Sequence, residues 1–336
     1  MSHLLEIKNL TTVFSGDYGK NTSVDHISFH VDQGEVVCIV GESGCGKSVT
    51  SLSIMGLLGK DGAVTDGSVL FDGKNLLMMT ERELDQIRGD EMTMIFQDPL
   101  TSLNPVFTVG SQITESIRIH MHLKKKEARM RAVALLTQVG MPEPEKVMKK
   151  YPHMLSGGMR QRVMIAMALS CNPRLLIADE PTTALDVTIQ AQIMKLLERL
   201  RREKEMSVIL ITHDIGLVAN AADWVIVMYA GQIVEEAPVE ELFRHPQHPY
   251  TQALLGTVPT IRDAEDRCLR AIPGIVPDNY DGIAGCRFAD RCPYRREACK
   301  EPQAVCSLGE RHKVRCIVAA EKCGEQEQHL GGRQVG

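Results

Sequence analysis

The sequence has no apolar run long enough to cross a membrane and no excess of positive charge. A membrane-spanning helix needs about 18 apolar residues, and no run in the chain reaches that length. The N-terminus, Met1–Lys8, carries charge where a signal peptide needs an apolar core. The formal net charge is -5, so the composition does not favour a nucleic-acid partner. We therefore expect a cytosolic protein, for which docking on a membrane protein stays open.

Cysteine is present in unusual number. Ten cysteines are many for a cytosolic chain, in which disulfides are disfavoured, and most of them follow residue 260. Four of these, Cys286, Cys292, Cys299 and Cys316, have 5, 6 and 16 residues between them. Thiolates select zinc or iron–sulfur clusters, and structural zinc sites use closely spaced cysteine pairs. The spacing therefore favours a cluster over zinc, with unmetallated thiols in a small domain as a further possibility.

A phosphate-binding pattern, Gly-x-x-x-x-Gly-Lys-Ser, runs from Gly41 to Ser48 after the apolar run Val36–Val40. Its glycines let backbone N–H groups converge on a polyphosphate, its lysine reaches the β and γ phosphates, and its serine can bind Mg²⁺. The alternative is a glycine-rich turn with a chance lysine. The pattern predicts that a nucleoside triphosphate contacts Gly41, Ser43, Gly44, Cys45, Gly46, Lys47, Ser48 and Val49. Cys45 is interpreted as a small residue tolerated in the loop, with a reactive thiol as the alternative.

Two acidic residues end a second apolar strand, Leu175–Ala178. A carboxylate at the end of a strand beside a phosphate loop can hold the hydration shell of Mg²⁺, which assigns Asp179. Its neighbour Glu180 can then polarise the water that attacks the γ-phosphoryl group. The alternative is a strand capped by solvated acids. Together with the phosphate loop upstream, the pair predicts hydrolysis of a nucleoside triphosphate with Mg²⁺.

A second anion-binding segment is predicted at Ser156, Gly157 and Gly158. The serine would cap the following helix, while the glycines let backbone N–H groups approach an anion. An ordinary helix cap is the alternative interpretation of this segment.

Strands and helices alternate around these motifs, which predicts an α/β fold. Residues 4–31 predict an antiparallel β layer, and residues from about 100 to 169 predict an inserted helical subdomain, including a long helix from Gly110 to Val139. The segment after about residue 240 is rich in proline, cysteine and charge. We therefore expect a main domain at 1–240 and a small Cys-rich extension at 241–336.

In their order and spacing these motifs resemble those of the ABC-type ATPases, over about residues 4–237. Leu155–Gln161 is similar to the signature sequence of that family, Gln97 to the glutamine at the junction with the helical subdomain, Ala184–Asp186 to the loop after the catalytic acid, and His213 to the switch histidine. The resemblance implies a P-loop ATPase core with a RecA-like mixed sheet, an antiparallel β layer and a helical subdomain.

The resemblance also implies that two such domains sandwich two nucleotides. Ser156, Gly157 and Gly158 would then serve the ATP of a partner chain, which is either identical or paralogous.

Roles for single residues follow from the same resemblance. Gln97 would contact Mg²⁺ or the attacking water, and His213 the γ-phosphate, so that both join Glu180 in catalysis. Ser48, Gln97 and Asp179 would be the residues at Mg²⁺. Phe14 is in the register of the aromatic residue that stacks on adenine, with Tyr18 as its rival.

A narrower resemblance, to the ATP-binding subunits of bacterial dipeptide and oligopeptide importers, is carried by Phe96–Pro105, Gly157–Ala166, Ala178–Gln192 and His248–Leu255. It implies two transmembrane permease subunits as partners, an extracytoplasmic solute-binding protein that feeds them, and a peripheral location on the cytoplasmic face of the inner or plasma membrane. The same subfamily includes subunits for nickel, haem and some sugars, so the solute stays open.

Subunits of that family with this kind of tail are linked to a [4Fe–4S] cluster. The resemblance therefore places such a cluster on Cys286, Cys292, Cys299 and Cys316. Cys306 could substitute for one of these ligands, and Cys268 and Cys323 are interpreted as free thiols.

A soluble ABC ATPase of DNA repair or translation is the alternative function. Such proteins usually carry two ATPase domains in one chain or a long coiled-coil insertion, and the sequence has neither an internal repeat nor a sustained heptad. A further alternative makes the tail an iron–sulfur redox sensor that regulates a transporter.

Overall fold

The computed structural model of the chain describes residues 3–16, 19–98, 102–183, 185–257, 272–277, 279–309 and 311–321. Tyr18, Ala184, Cys268 and Cys323, which entered the predictions from sequence, lie outside these residues. The described residues belong to two compact units. The first comprises those of Met1–Glu6, His30–Val36 and Leu70–Ile211, and the second those of Ile7–Phe29, Val37–Val69 and Thr212–Gly336.

The elements follow one another along the chain largely as the sequence predicts. The strands are β1 Leu5–Gly16, β2 Gly19–Val31, β3 Val36–Val40, β4 Gly62–Phe71, β5 Lys74–Asn75, β6 Met92–Ile95, β7 Leu175–Asp179, β8 Ser207–Thr212, β9 Trp224–Tyr229, β10 Gln232–Pro238, β11 Cys306–Ser307 and β12 Lys313–Val314. The α-helices are α1 Lys47–Met55, α2 Glu81–Ile87, α3 Val109–Met121, α4 Lys125–Gln138, α5 Pro144–Val147, α6 Gly157–Ala168, α7 Val187–Lys204, α8 Ile215–Ala221, α9 Val239–Arg244 and α10 Pro249–Leu255. Short 3₁₀ helices lie at Leu76–Met78, Pro152–Met154, Ala289–Arg291 and Glu297–Lys300.

The first unit is built on three parallel strands in the order β6-β7-β8. Leu175 of β7 pairs with Met92 of β6 on one side and with Ser207 of β8 on the other. These strands are almost wholly buried, and a near-continuous apolar sequence is typical of strands covered on both faces. Because parallel strands end at the same edge of a sheet, the residues that follow β6 and β7 lie close together.

Helices α3 and α4 of the first unit take the place of the single long helix predicted from Gly110 to Val139. That prediction is wrong in one detail, because His122 adopts a left-handed conformation with φ 54° and ends α3. A new helix, α4, starts at Lys125, where the Glu127 carboxylate accepts a hydrogen bond from the Lys124 backbone N–H. None of the described helices combines the length and the apolar character that a membrane crossing requires.

The second unit contains a mixed sheet in which β3 and β9 are parallel and β9, β10, β12 and β11 follow in antiparallel order. Strand β12 comes from the segment after residue 240, and its Val314 pairs with Glu235 of β10. Most of β1, β2 and β4 also belong to this unit and lie in the order β2-β1-β4. Residues on both sides of position 240 thus share a sheet, and the proposed domain boundary there stays a prediction.

Candidate functional site

The phosphate loop of the second unit joins β3 to α1. It requires glycine where its backbone lies too close to neighbouring carbonyls for a side chain to fit. Gly46, at the N-terminus of α1, has φ 101°, and a Cβ added to it would lie 2.5 Å from the Ser23 carbonyl oxygen. A Cβ on Gly41 would lie 2.2 Å from the Met228 carbonyl oxygen. The loop backbone therefore packs directly on its neighbours and leaves its N–H groups at a helix start, where an anion is favoured.

Lys47 is folded against the backbone of this loop. Its side chain is buried, and its Nζ donates hydrogen bonds of 2.8 Å to the Gly41 carbonyl and 3.0 Å to the Glu42 carbonyl. A cation held beside a glycine-rich helix start is the donor set that a polyphosphate requires. The arrangement therefore fits the predicted nucleotide.

Cys45 lies in the same loop and is fully buried. Burial raises the pKa of its thiol, although the neighbouring Lys47 acts in the opposite direction. A protonated, inaccessible thiol is unreactive, so the structure favours the small, tolerated residue over the reactive thiol.

The two predicted catalytic side chains of the first unit contact each other. Gln97, which follows β6, donates from Nε2 to Oε2 of Glu180 at 3.0 Å. Thr183 donates from Oγ1 to the same oxygen at 2.8 Å. The carboxylate of Glu180 is thus oriented by two neighbouring side chains at the edge where β6 and β7 end.

Glu180 also has an uncommon backbone conformation, with φ 46°. Its N–H donates to the Ile211 carbonyl at 2.9 Å, which fixes the turn after β7. Left-handed conformations of residues other than glycine cluster at functional sites, where the surrounding structure imposes them. Asp179, one residue earlier, is buried at the end of the strand.

The predicted signature segment starts α6. Ser156 is the N-cap of this helix, and its side chain accepts a hydrogen bond from the Met159 N–H at 3.4 Å. Ser156 and Gly157 are exposed, and a Cβ on Gly158 would lie 3.0 Å from Cγ2 of Ile189. The predicted helix cap is present and the start of the helix is exposed, and a contact with the nucleotide of a partner chain stays a prediction.

The remaining nucleotide residues are placed as follows. His213 directly follows β8 and is exposed. Phe14 is half-buried, and its ring covers Gly62, at which an added Cβ would lie 2.7 Å from the ring. Asp186 caps α7 by accepting a hydrogen bond from the Ile189 N–H. The contacts of His213 and Phe14 with nucleotide stay predictions.

The three residues predicted at Mg²⁺ carry oxygen donors of the kind this hard cation prefers. Ser48 lies in the first turn of α1, Gln97 follows β6 and Asp179 ends β7. Their chemistry fits the ion, and their role as its ligands stays a prediction.

Comparison with known proteins decides the family. The model of the ABC transporter family matches residues 24–183, and that of the oligopeptide/dipeptide transporter C-terminal region matches residues 234–299. The oligopeptide transport ATP-binding protein AppD of Bacillus subtilis (strain 168) is 54% identical over 329 residues, which cover 97% of this chain and 100% of AppD. The dipeptide transport ATP-binding protein DppD of Haemophilus influenzae is 51% identical, over 98% of this chain and 99% of DppD. The chain belongs to the ABC transporter family.

Solved structures of ABC cassettes agree with this assignment. A dimeric post-hydrolysis state of the ATP-binding cassette MJ0796, bound to ADP and phosphate, has a TM-score of 0.64 and 30% identity, and the match covers 70% of this chain and 98% of that one. CbiO1 from Clostridium perfringens, part of an ABC transporter complex, has a TM-score of 0.62 at 30% identity, over 73% of this chain and 92% of that one. The predicted ABC ATPase fold and the resemblance to the dipeptide/oligopeptide family are both confirmed.

The predicted [4Fe–4S] cluster on Cys286, Cys292, Cys299 and Cys316 is wrong for this ABC ATPase. The relatives are named as ATP-binding proteins of peptide transport, and neither they nor the matching family models indicate an iron–sulfur cluster. In the metal-free chain, burial raises the pKa of Cys286 to about 11 and also raises the pKa of Cys292 and Cys316.

The zinc alternative is not supported either. No three Sγ atoms of the described cysteines lie within 4.8 Å of one another, as a tetrahedral zinc site requires. Cys286, Cys292, Cys299, Cys306 and Cys316 are free thiols.

Sequence reasoning missed two residues beside the phosphate loop of the ABC cassette. Tyr250 of α10 accepts a hydrogen bond from the Glu42 N–H at 2.8 Å, and Arg291 donates to the Glu42 carboxylate. Tyr250 lies in His248–Leu255, a segment that carries the resemblance to peptide importers but whose sequence gives no sign of a contact with the loop. In the sequence, the acidic Glu42 within a phosphate-binding loop was the signal for a neighbouring cation, which is Arg291.

Proposed function

We propose that this chain is the ATPase subunit of an ABC importer, and that it hydrolyses MgATP to power the uptake of dipeptides or oligopeptides. Near full-length similarity to two proteins named for oligopeptide and dipeptide transport supports this most directly. The subunit works as a dimer with an identical or paralogous ATPase and is docked on two transmembrane permease subunits. Its place is the cytoplasmic face of the membrane, and an extracytoplasmic solute-binding protein supplies the peptide.

Nucleotide binding is assigned to the phosphate loop. Lys47 leaves the carbonyls of Gly41 and Glu42, or shares its protons with them, and donates to the β and γ phosphates of ATP. Backbone N–H groups from Gly44 to Val49 donate hydrogen bonds to the remaining phosphate oxygens. Ser48, Gln97 and Asp179 are the residues that would hold Mg²⁺, which when bound would neutralise charge that develops on the phosphate oxygens.

Hydrolysis is assigned to Glu180, whose carboxylate orients and deprotonates the attacking water. Gln97 donates to that same carboxylate in the structure. The amide oxygen of Gln97 is the atom that would contact Mg²⁺ or accept a hydrogen bond from the water, so one side chain can hold Glu180 through Nε2 and face the metal through Oε1. His213 is assigned a contact with the γ-phosphate.

Closure of the dimer is assigned to the signature segment. Ser156, Gly157 and Gly158 of one chain contact the ATP held by the phosphate loop of the other, so each nucleotide site is shared. ATP then favours the closed dimer because only the closed state makes both sets of contacts, and hydrolysis removes this preference. The dimeric neighbour bound to ADP and phosphate is a cassette of the same fold.

Peptide uptake in cells tests the proposal. Deletion of the gene should abolish uptake of a labelled dipeptide or tripeptide, and the wild-type gene but not a K47A gene should restore it. Uptake of a free amino acid is the control and should not change. Unchanged uptake of all peptides in the deletion strain, together with sensitivity to DNA damage or a defect in translation, would instead favour the soluble ABC ATPase.

A further inference from the structure

Glu42, within the phosphate loop, is held at three points at once. Its carboxylate accepts two hydrogen bonds from Arg291, of 2.6 Å from Nη1 to Oε2 and 3.0 Å from Nη2 to Oε1. Its N–H donates to the Tyr250 hydroxyl at 2.8 Å, and its carbonyl accepts from Nζ of Lys47 at 3.0 Å. One loop residue therefore joins the Cys-rich extension to the lysine assigned to phosphate.

Arg291 is anchored more firmly than a surface arginine. Its side chain is only 6% exposed, and besides Glu42 it donates to the carbonyls of Ile272 and Pro273 and to the Tyr229 hydroxyl. These acceptors account for the five N–H groups that a guanidinium carries. The hydrogen bond to Glu42 is the main reason that the pKa of Arg291 is raised. A planar guanidinium with all of its N–H groups bonded is fixed in one orientation. It therefore also fixes the position of the carboxylate that it binds.

Three buried rings support both anchors of Glu42. Tyr229 and Tyr250 have ring centroids 4.7 Å apart, and Phe288 lies 5.3 Å from Tyr229 and 5.4 Å from Tyr250. The Arg291 guanidinium lies 5.7 Å from the Tyr229 centroid and 5.9 Å from that of Phe288. Since Tyr250 supplies the hydroxyl that holds the Glu42 N–H, the cluster fixes the backbone and the side chain of this residue together.

Ordering the phosphate loop in one conformation costs entropy because the loop is rich in glycine. Gly44 and Gly46 have positive φ values, and glycine loses more conformational freedom on ordering than any other residue. Contacts from outside the loop order it before nucleotide binds. Less conformational entropy is then lost on binding. Glu42 receives such contacts one residue from Gly41 and five from Lys47.

We propose that Arg291 is a positioning residue that sets the affinity of the phosphate loop for nucleotide through Glu42. The Cys-rich extension is then a working part of the nucleotide site. This inference rests on the proposed function, because it takes Lys47 to bind the phosphates of ATP.

Calorimetric titration of the purified full-length chain with MgATP and MgADP tests this role. R291Q should weaken binding of both nucleotides about tenfold, since both carry the β-phosphate that Lys47 reaches. E42Q leaves the carbonyl contacts of Arg291 in place and should weaken binding by a similar factor. If both residues act through one pair, the R291Q/E42Q variant should bind no more weakly than either single variant. R295Q is the matched control, because Arg295 is half exposed and forms an ion pair with the exposed Asp290 in the same extension, and it should bind as wild type.

Steady-state turnover separates positioning from a purely structural role. Positioning predicts a raised KM for ATP with kcat nearly unchanged, whereas partial unfolding lowers kcat at constant KM. Wild-type affinity in R291Q and E42Q, additive effects in the double variant, or a fall in kcat alone would overturn the inference. K47A distinguishes failure of the positioning role of Arg291 from failure of the proposed nucleotide site. If K47A loses ATP while R291Q does not, only this inference fails, and if K47A binds ATP normally, the proposed site itself is wrong.

Discussion

Gln97 and Glu180 contact each other directly, through a hydrogen bond of 3.0 Å from the amide Nε2 to the carboxylate Oε2. The two residues are 83 positions apart in the sequence and meet because β6 and β7 are neighbouring parallel strands that end at the same edge. A glutamine at the end of one strand therefore acts on the carboxylate at the end of the next. This contact is the basis for the first prediction.

Replacing Glu180 with glutamine should lower the rate of ATP hydrolysis by about 10²- to 10⁴-fold, the usual contribution of a general base. The Kd for MgATP should stay close to that of the wild type, because glutamine preserves the shape of the side chain and removes only its basicity. Phosphate release measures the rate, and calorimetry measures the binding.

A matched control for this variant is E203Q. Glu203 is half exposed on α7 and forms an ion pair with Arg199, so its replacement should leave turnover unchanged. Wild-type turnover in E180Q would show that another group takes the proton from water.

Replacing Gly46 with alanine should disrupt the phosphate loop. The new methyl group would meet the Ser23 carbonyl at 2.5 Å, and the left-handed backbone alone costs a residue other than glycine about 1–2 kcal/mol. We expect a lower melting temperature and a Kd for MgATP raised by at least about tenfold.

G59A is the comparison for this variant, since no atom lies within 4 Å of a Cβ at Gly59. It should melt within about 2 °C of wild type and bind ATP normally. Equal behaviour of the two variants would contradict the close packing of the loop on Ser23.

His248 predicts a pH dependence of stability. It is buried at the N-terminus of α10, where its Nδ1 accepts a hydrogen bond from the Tyr250 N–H, and burial lowers its pKa to about 4. An unfolded histidine titrates near 6.5, so the unfolded chain binds the proton first as the pH falls. The neutral ring should therefore contribute stability above pH 6.5 that is lost towards pH 4, on the order of 3 kcal/mol.

Urea unfolding of H248N between pH 7 and pH 4.5 measures this contribution. Asparagine can still cap the helix but does not titrate. As the pH is lowered, the free energy of unfolding of H248N should therefore decrease less than that of the wild type. H245N serves as control because His245 is exposed, and its slope should match that of the wild type. Equal slopes in all three proteins would contradict the titration of His248.

The strand-to-helix loop at Gly41–Ser48, the strand end at Asp179 and the Ser156 helix cap lie where the sequence predicts them, because each is a local pattern next to a recognisable strand or helix, and their roles stay predictions. The sequence also predicts the parallel strands β6 to β8, since their apolar runs are continuous. Where local signals compete, prediction is poorer, as at His122, which divides one predicted helix into two.

Contacts between distant segments could not be predicted. Arg291 is 249 residues from Glu42, and Tyr250 is 208 residues from it, so no spacing rule joins them. The cysteine spacing was misleading because spacing alone does not distinguish metal ligands from thiols packed in a small domain. Neither the relatives nor the matching family models indicate a cluster.

A mixing experiment tests the shared nucleotide site most directly. K47A lacks the phosphate lysine, and S156R blocks the exposed start of α6, so each variant alone should be nearly inactive. In a mixed dimer, the loop of the S156R chain meets the signature of the K47A chain and completes one intact site. The ATPase rate of the mixture should therefore exceed the sum of the separate rates, while a mixture of K47A with S48A, both altered in the loop, should show no gain. A K47A and S156R mixture that never exceeds that sum, although the S156R chain still binds ATP, would contradict a site shared between two copies of this chain.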